Sequence, residues 1–158
     1  MDRNSKVLAS TIDWVEEFSK YYDEVLVFSS KIGEIPNLTN TRMTLIGTKD
    51  NFSSIRIIIN LLVSFKSAIG LKGHTDVFYH MNHKPAALLG FFYKLSRKKQ
   101  ILWYSHNKKT TSLRLALYFV DKIVSTSIES FPITTKKLIE TGRSEEHTSE
   151  LQSHSFIS

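Results

Sequence analysis

The chain has 158 residues, of which 41% are hydrophobic and 23% charged, a composition typical of one globular domain. Its longest apolar run, Ala86 to Tyr93, is far shorter than the roughly 18 residues that cross a membrane. The absence of cysteine excludes disulfides, thiolate metal sites and cysteine nucleophiles. Because the first residues also lack the apolar core of a signal peptide, we expect a cytoplasmic protein.

The positive charge is unevenly distributed along the chain. Residues 1–142 contain 20 Lys and Arg against 12 Asp and Glu, a net of +8, whereas residues 143–158 contain one Arg and three Glu, a net of −2. Residues 143–154 resemble the translation of a sequencing-adapter oligonucleotide. We therefore expect a folded body over 1–142 and a non-native, disordered tail over 143–158. The basic body favours polyanions, acidic membrane surfaces or phosphorylated substrates as partners, or simply has solvated basic faces.

Apolar residues at helical spacing and short apolar runs predict alternating helices and strands in the body. In chain order these are a helix over 12–22, strands over 25–28 and 43–46, a helix over about 53–71, a strand over 76–79, a turn over 80–84, a helix from Pro85 to about Ser96, a strand over 101–104, a helix over 110–119, a strand over 122–125, a short helix after Thr126 and Ser127, and a last strand over 137–139. Continuous apolar strands indicate a parallel sheet covered on both faces. The predicted fold class is therefore α/β, with a doubly wound parallel sheet.

Polar side chains follow three of these strands. Ligands of parallel sheets bind beyond the carboxyl ends of the strands, and each of these loops precedes a helix N-terminus that favours an anion. A phosphate or sugar-phosphate would suit this edge. The polar side chains are those of His80, Asn82, His83, Lys84, Ser105, His106, Asn107, Thr126 and Ser127.

Common catalytic signatures are missing from the sequence. It contains no Walker loop, no G-x-G-x-x-G, no G-x-S-x-G and no H-E-x-x-H pattern. His80, His83 and His106 have no carboxylate beside them, so we expect no metal site. Ser105 and His106 are neighbours in sequence, which does not orient one as a base for the other.

Several stretches of the chain, taken together, form one recognisable pattern. They are Leu8 to Phe18, His80 to Asn82, Ile101 to His106, Leu113 to Leu117, Val120 to Ser127, Glu129 to Phe131, and Lys136 with Lys137. Together they resemble the N-terminal domain of the family 4 glycosyltransferases, which have the GT-B fold. The likeness covers most of residues 7–142, and the loop over 31–41 is uninformative.

This resemblance implies an acceptor-side Rossmann-like domain that faces a second domain for the nucleotide-sugar donor. It implies retaining sugar transfer without metal or other cofactor, to a glycan or lipid-linked acceptor, and no nucleic-acid partner. His106 matches the histidine that contacts the donor sugar in that family and is the predicted catalytic residue. The predicted substrate-binding residues are His80, Asn82, Ser105, Asn107 and Ser127, although capping roles for Asn82 and Ser127 are equally open.

The chain departs from the family pattern at both ends. No apolar strand precedes Leu8, and the likeness stops at Gly142 before a second domain. We therefore expect a truncated fragment that is inactive by itself and marginally stable.

Two alternative functions remain open from the sequence. One is a self-sufficient basic α/β module for phosphorylated ligands or nucleic acid. The other is peripheral membrane contact through Lys49, Arg56, Lys66 and Lys72 around the long helix.

Overall fold

A computed structural model describes residues 6–29, 37–45, 54–70 and 75–141, which form helices and parallel strands. The chain divides into unit 1, Met1–Lys72, and unit 2, Gly73–Ser158. The predicted tail over 143–158 lies outside the described residues, as do Ile46 and most of the loop over 31–41. None of the helices in the described ranges is long and apolar enough to cross a membrane.

Unit 1 contains a small parallel sheet packed against a helix. Its elements are α1 (Lys6–Ser19), β1 (Val25–Ser29), β2 (Thr41–Leu45) and α2 (Ser54–Ile69). Strands β1 and β2 pair in parallel from Val25 opposite Thr41. Ile12 and Val15 of α1 are buried with Val27 of β1. This burial explains why apolar residues recur at helical spacing along α1.

Helix α1 is displaced from its predicted bounds of 12–22. It begins at Lys6, and it ends at Ser19 rather than Tyr22. The amide of Asn40 donates hydrogen bonds to the carbonyls of Ser19 (2.8 Å) and Tyr22 (2.9 Å). Ser19 is the last residue of the helix and Tyr22 lies just beyond it, and a side chain 18 residues or more away satisfies both carbonyls.

Unit 2 contains a larger sheet of parallel strands. Its elements are β3 (Asp76–His80), α3 (Lys84–Leu95), β4 (Lys99–Trp103), α4 (Thr111–Phe119), β5 (Lys122–Ser125) and β6 (Leu138–Glu140). The strands pair in the order β3-β4-β5-β6, all parallel. The core of this unit consists of Tyr79, Ala86, Leu102, Tyr104, Leu113, Ala116, Val120, Ile123 and Phe131.

Local signals account for the ends of the unit 2 helices. Pro85 lies in the first turn of α3, as predicted from its fixed φ and missing N–H. Thr110 caps α4 by accepting a hydrogen bond from the Leu113 N–H at 3.1 Å. At the other end of α4, the Lys137 ammonium donates to the carbonyls of Leu117 (2.6 Å) and Val120 (2.7 Å). Burial lowers the pKa of Lys137, but these carbonyls satisfy its charge.

The α/β class with parallel strands is confirmed, whereas the predicted single sheet is not observed. The described residues form two sheets, and neither contains the reversal of strand order that defines a doubly wound sheet. Successive right-handed crossovers in one direction place α3 and α4 on the same face of the unit 2 sheet. The rings of Phe91 and Phe119, 6.2 Å apart, join these two helices.

The prediction of a short helix after Thr126 and Ser127 is wrong. This segment forms turns, in which the Ser130 N–H bonds to the Ser127 carbonyl and the Phe131 N–H bonds to the Ile128 carbonyl. Pro132 then supplies no N–H with which to extend the bonding into a helix.

Candidate functional site

The carboxyl ends of β3, β4 and β5 lie side by side. His80 pairs with Trp103, and Trp103 pairs with Val124, so the three strands end at nearly the same level. The loops that follow therefore leave from one edge of the unit 2 sheet, as the topology predicts. Apart from His80, which ends β3, the predicted site residues lie in these loops: Asn82, Ser105, His106, Asn107 and Ser127.

His80 is the last residue of β3, rather than the first residue of a turn as predicted. Its imidazole is half-buried and stacks on the Trp103 ring, with centroids 6.5 Å apart and planes 5° apart. Burial lowers the pKa of His80. Its Nδ1 is buried without a hydrogen-bond partner in the described part of the chain. His80 is therefore held neutral more readily than a solvated histidine.

His83 lies between the N-termini of α3 and α4, although the predicted substrate-binding set omits it. Its Nε2 is 2.9 Å from the Ser112 hydroxyl and 3.0 Å from the Thr110 hydroxyl. Burial, followed by the charge of Lys84, lowers the pKa of His83. Two positive helix ends also oppose protonation at this position. The sequence signal was its position two residues before Pro85 at a helix start, which indicates a structural rather than a catalytic role.

The stability of the protein is expected to fall as pH drops from about 7 to 5, in part because of His80 and His83. Their folded-state pKa values lie below the unfolded value of about 6.5, so the unfolded chain binds protons more readily. Urea unfolding at several pH values measures this slope. The double variant His80→Gln/His83→Gln should flatten it, and an unchanged slope would assign the pH dependence to other groups.

Tyr104 connects the two histidines of this edge that follow β3 and β4. Its buried ring makes edge contacts with His83 (5.3 Å between centroids), His106 (5.5 Å) and Phe131 (6.0 Å). Its hydroxyl donates to the Lys108 carbonyl at 3.1 Å and so fixes the loop after β4. His106 is exposed on this supported loop. The imidazole is therefore accessible to a ligand, and its contact with the Tyr104 ring restricts its position.

Hydroxyl groups from the loops after β4 and β5 form a connected network. The Ser105 hydroxyl is 2.7 Å from that of Thr126, which is 3.2 Å from that of Ser130. The Ser127 hydroxyl accepts from the Ser130 N–H at 3.2 Å and bonds to its hydroxyl. Ser105 and Ser127 are thus brought into one network, through Thr126 and Ser130, which the predicted site set omits. The hydroxyl-rich sequence from Ser125 to Ser130 was the available signal.

Asn82 and Asn107 lie at the exposed outer side of these loops. The side-chain oxygen of Asn82 accepts a hydrogen bond from the Lys84 N–H at 3.2 Å, which is an Asx turn just before α3. The N-cap residue of α3 is His83, and it makes no side-chain capping bond. The preceding Met81 has a φ of 54°, and its N–H bonds to the Trp103 carbonyl at 2.9 Å. This left-handed residue turns the chain sharply out of the sheet before α3.

The loops after β3 and β4 are basic and contain no carboxylate. Lys108 and Lys109 are exposed in the loop after β4, and Lys84, the first residue of α3, is exposed at the end of the loop after β3. The described residues contain no group of three His, Asp or Glu that could hold a metal ion. The edge combines imidazoles, hydroxyls and ammonium groups, a set suited to hydrogen bonding with sugar hydroxyls and to attracting phosphate. The chain matches no protein-family model, no curated protein and no solved structure.

Proposed function

We propose that residues 1–142 are part of the acceptor-side, Rossmann-like domain of a retaining glycosyltransferase of the GT-B fold. In this proposal a donor-binding domain outside these 158 residues holds the nucleotide sugar, and the acceptor is a glycan or a lipid-linked sugar. The supporting observation is the exposed imidazole of His106, which Tyr104 supports at the carboxyl edge of adjacent parallel strands. Ligands of parallel α/β sheets bind at this edge.

In this proposal His106 hydrogen-bonds the transferred sugar and is the catalytic residue. The hydroxyls of Ser105 and Ser127 belong to one network and retain free lone pairs or protons, so they can bind sugar hydroxyls. His80, Asn82 and Asn107 complete the substrate-binding set. Ammonium groups of the loops attract the donor phosphate, so neither a metal nor another cofactor takes part in the proposal.

Replacing His106 with alanine tests the proposed role in the enzyme that contains both domains. We expect kcat to fall about tenfold or more, because a hydrogen bond that strengthens in the transition state supplies about 1.4 kcal/mol or more of barrier lowering. The melting temperature should not change, since the side chain is exposed. Unchanged kcat would remove His106 from the proposed machinery.

The isolated chain allows an independent test of where ligands bind. Titration of the ¹⁵N-labelled chain with simple glycosides should shift the amide signals of Ser105, His106 and Ser127. A matched titration with inorganic phosphate should shift the signals of Lys84 and Lys108. Shifts confined to other surfaces would contradict the proposed site.

The second candidate function is a basic module that binds phosphorylated ligands or nucleic acid. The observation that favours it is the set of exposed lysines in carboxylate-free loops. Affinity for an oligonucleotide that falls steeply with salt, by several powers of the salt concentration, would support this alternative. Binding of glycosides with little salt dependence would support the glycosyltransferase.

A further inference from the structure

The helices α3 and α4 present a large exposed apolar surface, which we name the α3/α4 face. Four of its residues recur at i, i+3, i+4 and i+7 along α3, opposite the side that buries Ala86, Leu89 and Tyr93. An ordinary surface helix would have polar side chains at those positions. The α3/α4 face consists of Leu88, Phe91, Phe92, Leu95, Leu115 and Tyr118.

The side chains of this face lie together rather than singly. Phe91, Leu95 and Tyr118 line an open groove between the two helices, together with Lys94 and Phe119. Leu95 is 72% exposed and Tyr118 is 71% exposed. A contiguous apolar surface of this kind marks an interaction site more often than scattered exposed leucines do.

The charged residues of the segment that contains α3 and α4 all have one sign. Between Val77 and Val120 the chain contains eight Lys and Arg and no Asp or Glu. Ser96 separates Leu95 from the exposed Arg97 and Lys99 and from the part-buried Lys98, and the exposed Arg114 precedes Leu115 on α4. Asp121 comes next in the chain, but its carboxylate accepts a hydrogen bond from the Gln100 N–H. The apolar face is therefore bordered by cations in its own segment.

We propose that the α3/α4 face docks on an anionic phospholipid surface. Leucine and aromatic side chains enter the boundary between headgroups and acyl chains, while Lys and Arg contact lipid phosphates. A second copy of the chain fits less well, because a two-fold contact through this face would set cations against cations. The α3/α4 face does not include Lys49, Arg56, Lys66 or Lys72, which are the cations predicted to contact a membrane. Of these four, only Lys66 has a side chain in the described part of the chain, and that side chain is exposed. The inference does not depend on the proposed glycosyltransferase activity.

Co-sedimentation of the full chain with vesicles tests the proposal. We expect binding to vesicles of phosphatidylcholine mixed with phosphatidylglycerol, much weaker binding to pure phosphatidylcholine, and release at high salt. The double variant Leu88→Gln/Leu95→Gln should weaken binding about tenfold or more, because it removes the most accessible aliphatic groups of the α3/α4 face. The matched control is Ile128→Gln, an exposed apolar residue outside the face, and it should bind like the unchanged chain.

A charge variant separates the two contributions to binding. Arg97→Asn/Arg114→Gln should weaken binding at low salt; asparagine suits position 97 because Arg97 has a φ of 57°. Absence of binding to phosphatidylglycerol vesicles by the unchanged chain would overturn the proposal. So would leucine variants that bind normally, since the α3/α4 face would then contribute no apolar contact to the binding. A dimer in sedimentation analysis that Leu95→Gln dissociates would assign the face to a second copy instead.

Discussion

Replacing Gln100 with glutamate is expected to destabilise the protein by about 3 to 5 kcal/mol near neutral pH. Gln100 is completely buried in β4. Its amide nitrogen donates to the carbonyls of Gly90 (2.9 Å) and Phe119 (3.3 Å), and its amide oxygen accepts from the Tyr79 hydroxyl at 2.9 Å. A carboxylate has no N–H, so one of its oxygens would face two carbonyl oxygens without water. The variant places an uncompensated charge in the core.

This loss should depend on pH in a defined direction. Burial raises the pKa of the introduced carboxyl above the unfolded value of about 4.3. The stability is therefore retained below about pH 4, where the protonated acid can donate to the Gly90 carbonyl, and is lost as pH rises. Urea unfolding at acidic and neutral pH measures the change, with the unchanged protein compared at each pH.

The matched control is Gln100→Leu, which fills similar space without charge. It leaves the Tyr79 hydroxyl without its acceptor, so we expect a pH-independent loss of about 1 to 3 kcal/mol. In this background the further change Tyr79→Phe should cost little, because the two side chains stabilise through one shared bond. A Gln100→Glu protein as stable as the leucine variant at neutral pH would contradict the buried network.

Replacing Gly90 with valine is expected to destabilise the protein by about 1 to 3 kcal/mol or more. A Cβ at Gly90 would lie 2.6 Å from the Cβ of Phe119, an atom fixed to the backbone of the neighbouring region of α4. Neither helix can relieve this overlap by rotating a side chain. The helices would have to separate, and the Gly90 carbonyl would move away from Gln100.

Two alanine variants, at Gly90 and at Gly70, serve as comparisons for this prediction. Gly90→Ala should lose less than valine, since alanine recovers about 1 kcal/mol of helix propensity while meeting the same Cβ contact. Gly70→Ala is the control, because a Cβ there meets no atom closer than 3.4 Å and the melting temperature should hardly change. A Gly90→Ala protein that melts higher than the unchanged chain would show that the helix contact is looser than the structure indicates.

Local sequence signals predicted most elements because the forces that form them act between near neighbours. The strands at Val25 and Lys122, the cap at Thr110 and the proline start of α3 all follow from short apolar runs or from one side chain beside a helix end. The same information misplaced the end of α1. That end is set by Asn40, which is distant in sequence and carries no signal near Ser19.

The candidate site could likewise be predicted from the sequence only in part. Its location at the strand ends follows from the order of parallel strands, so His106 and Ser105 could be named from sequence. The positions of His83, Tyr104 and Ser130 could not, because they depend on rings and hydroxyls that meet across different loops.

By itself the sequence determined the α/β class and the edge on which polar loops gather, because periodicity and apolar runs fix which segments become helices and strands. Only the tertiary structure decided that the strands form two sheets among the described residues. It also decided that Gln100 is buried and that Leu95 is exposed, although a hydropathy reading suggests the reverse. The physical reason is that burial depends on which partner arrives from elsewhere in the chain. Tyr79 and the Gly90 carbonyl satisfy the amide of Gln100, whereas no described element covers the outer side of α3.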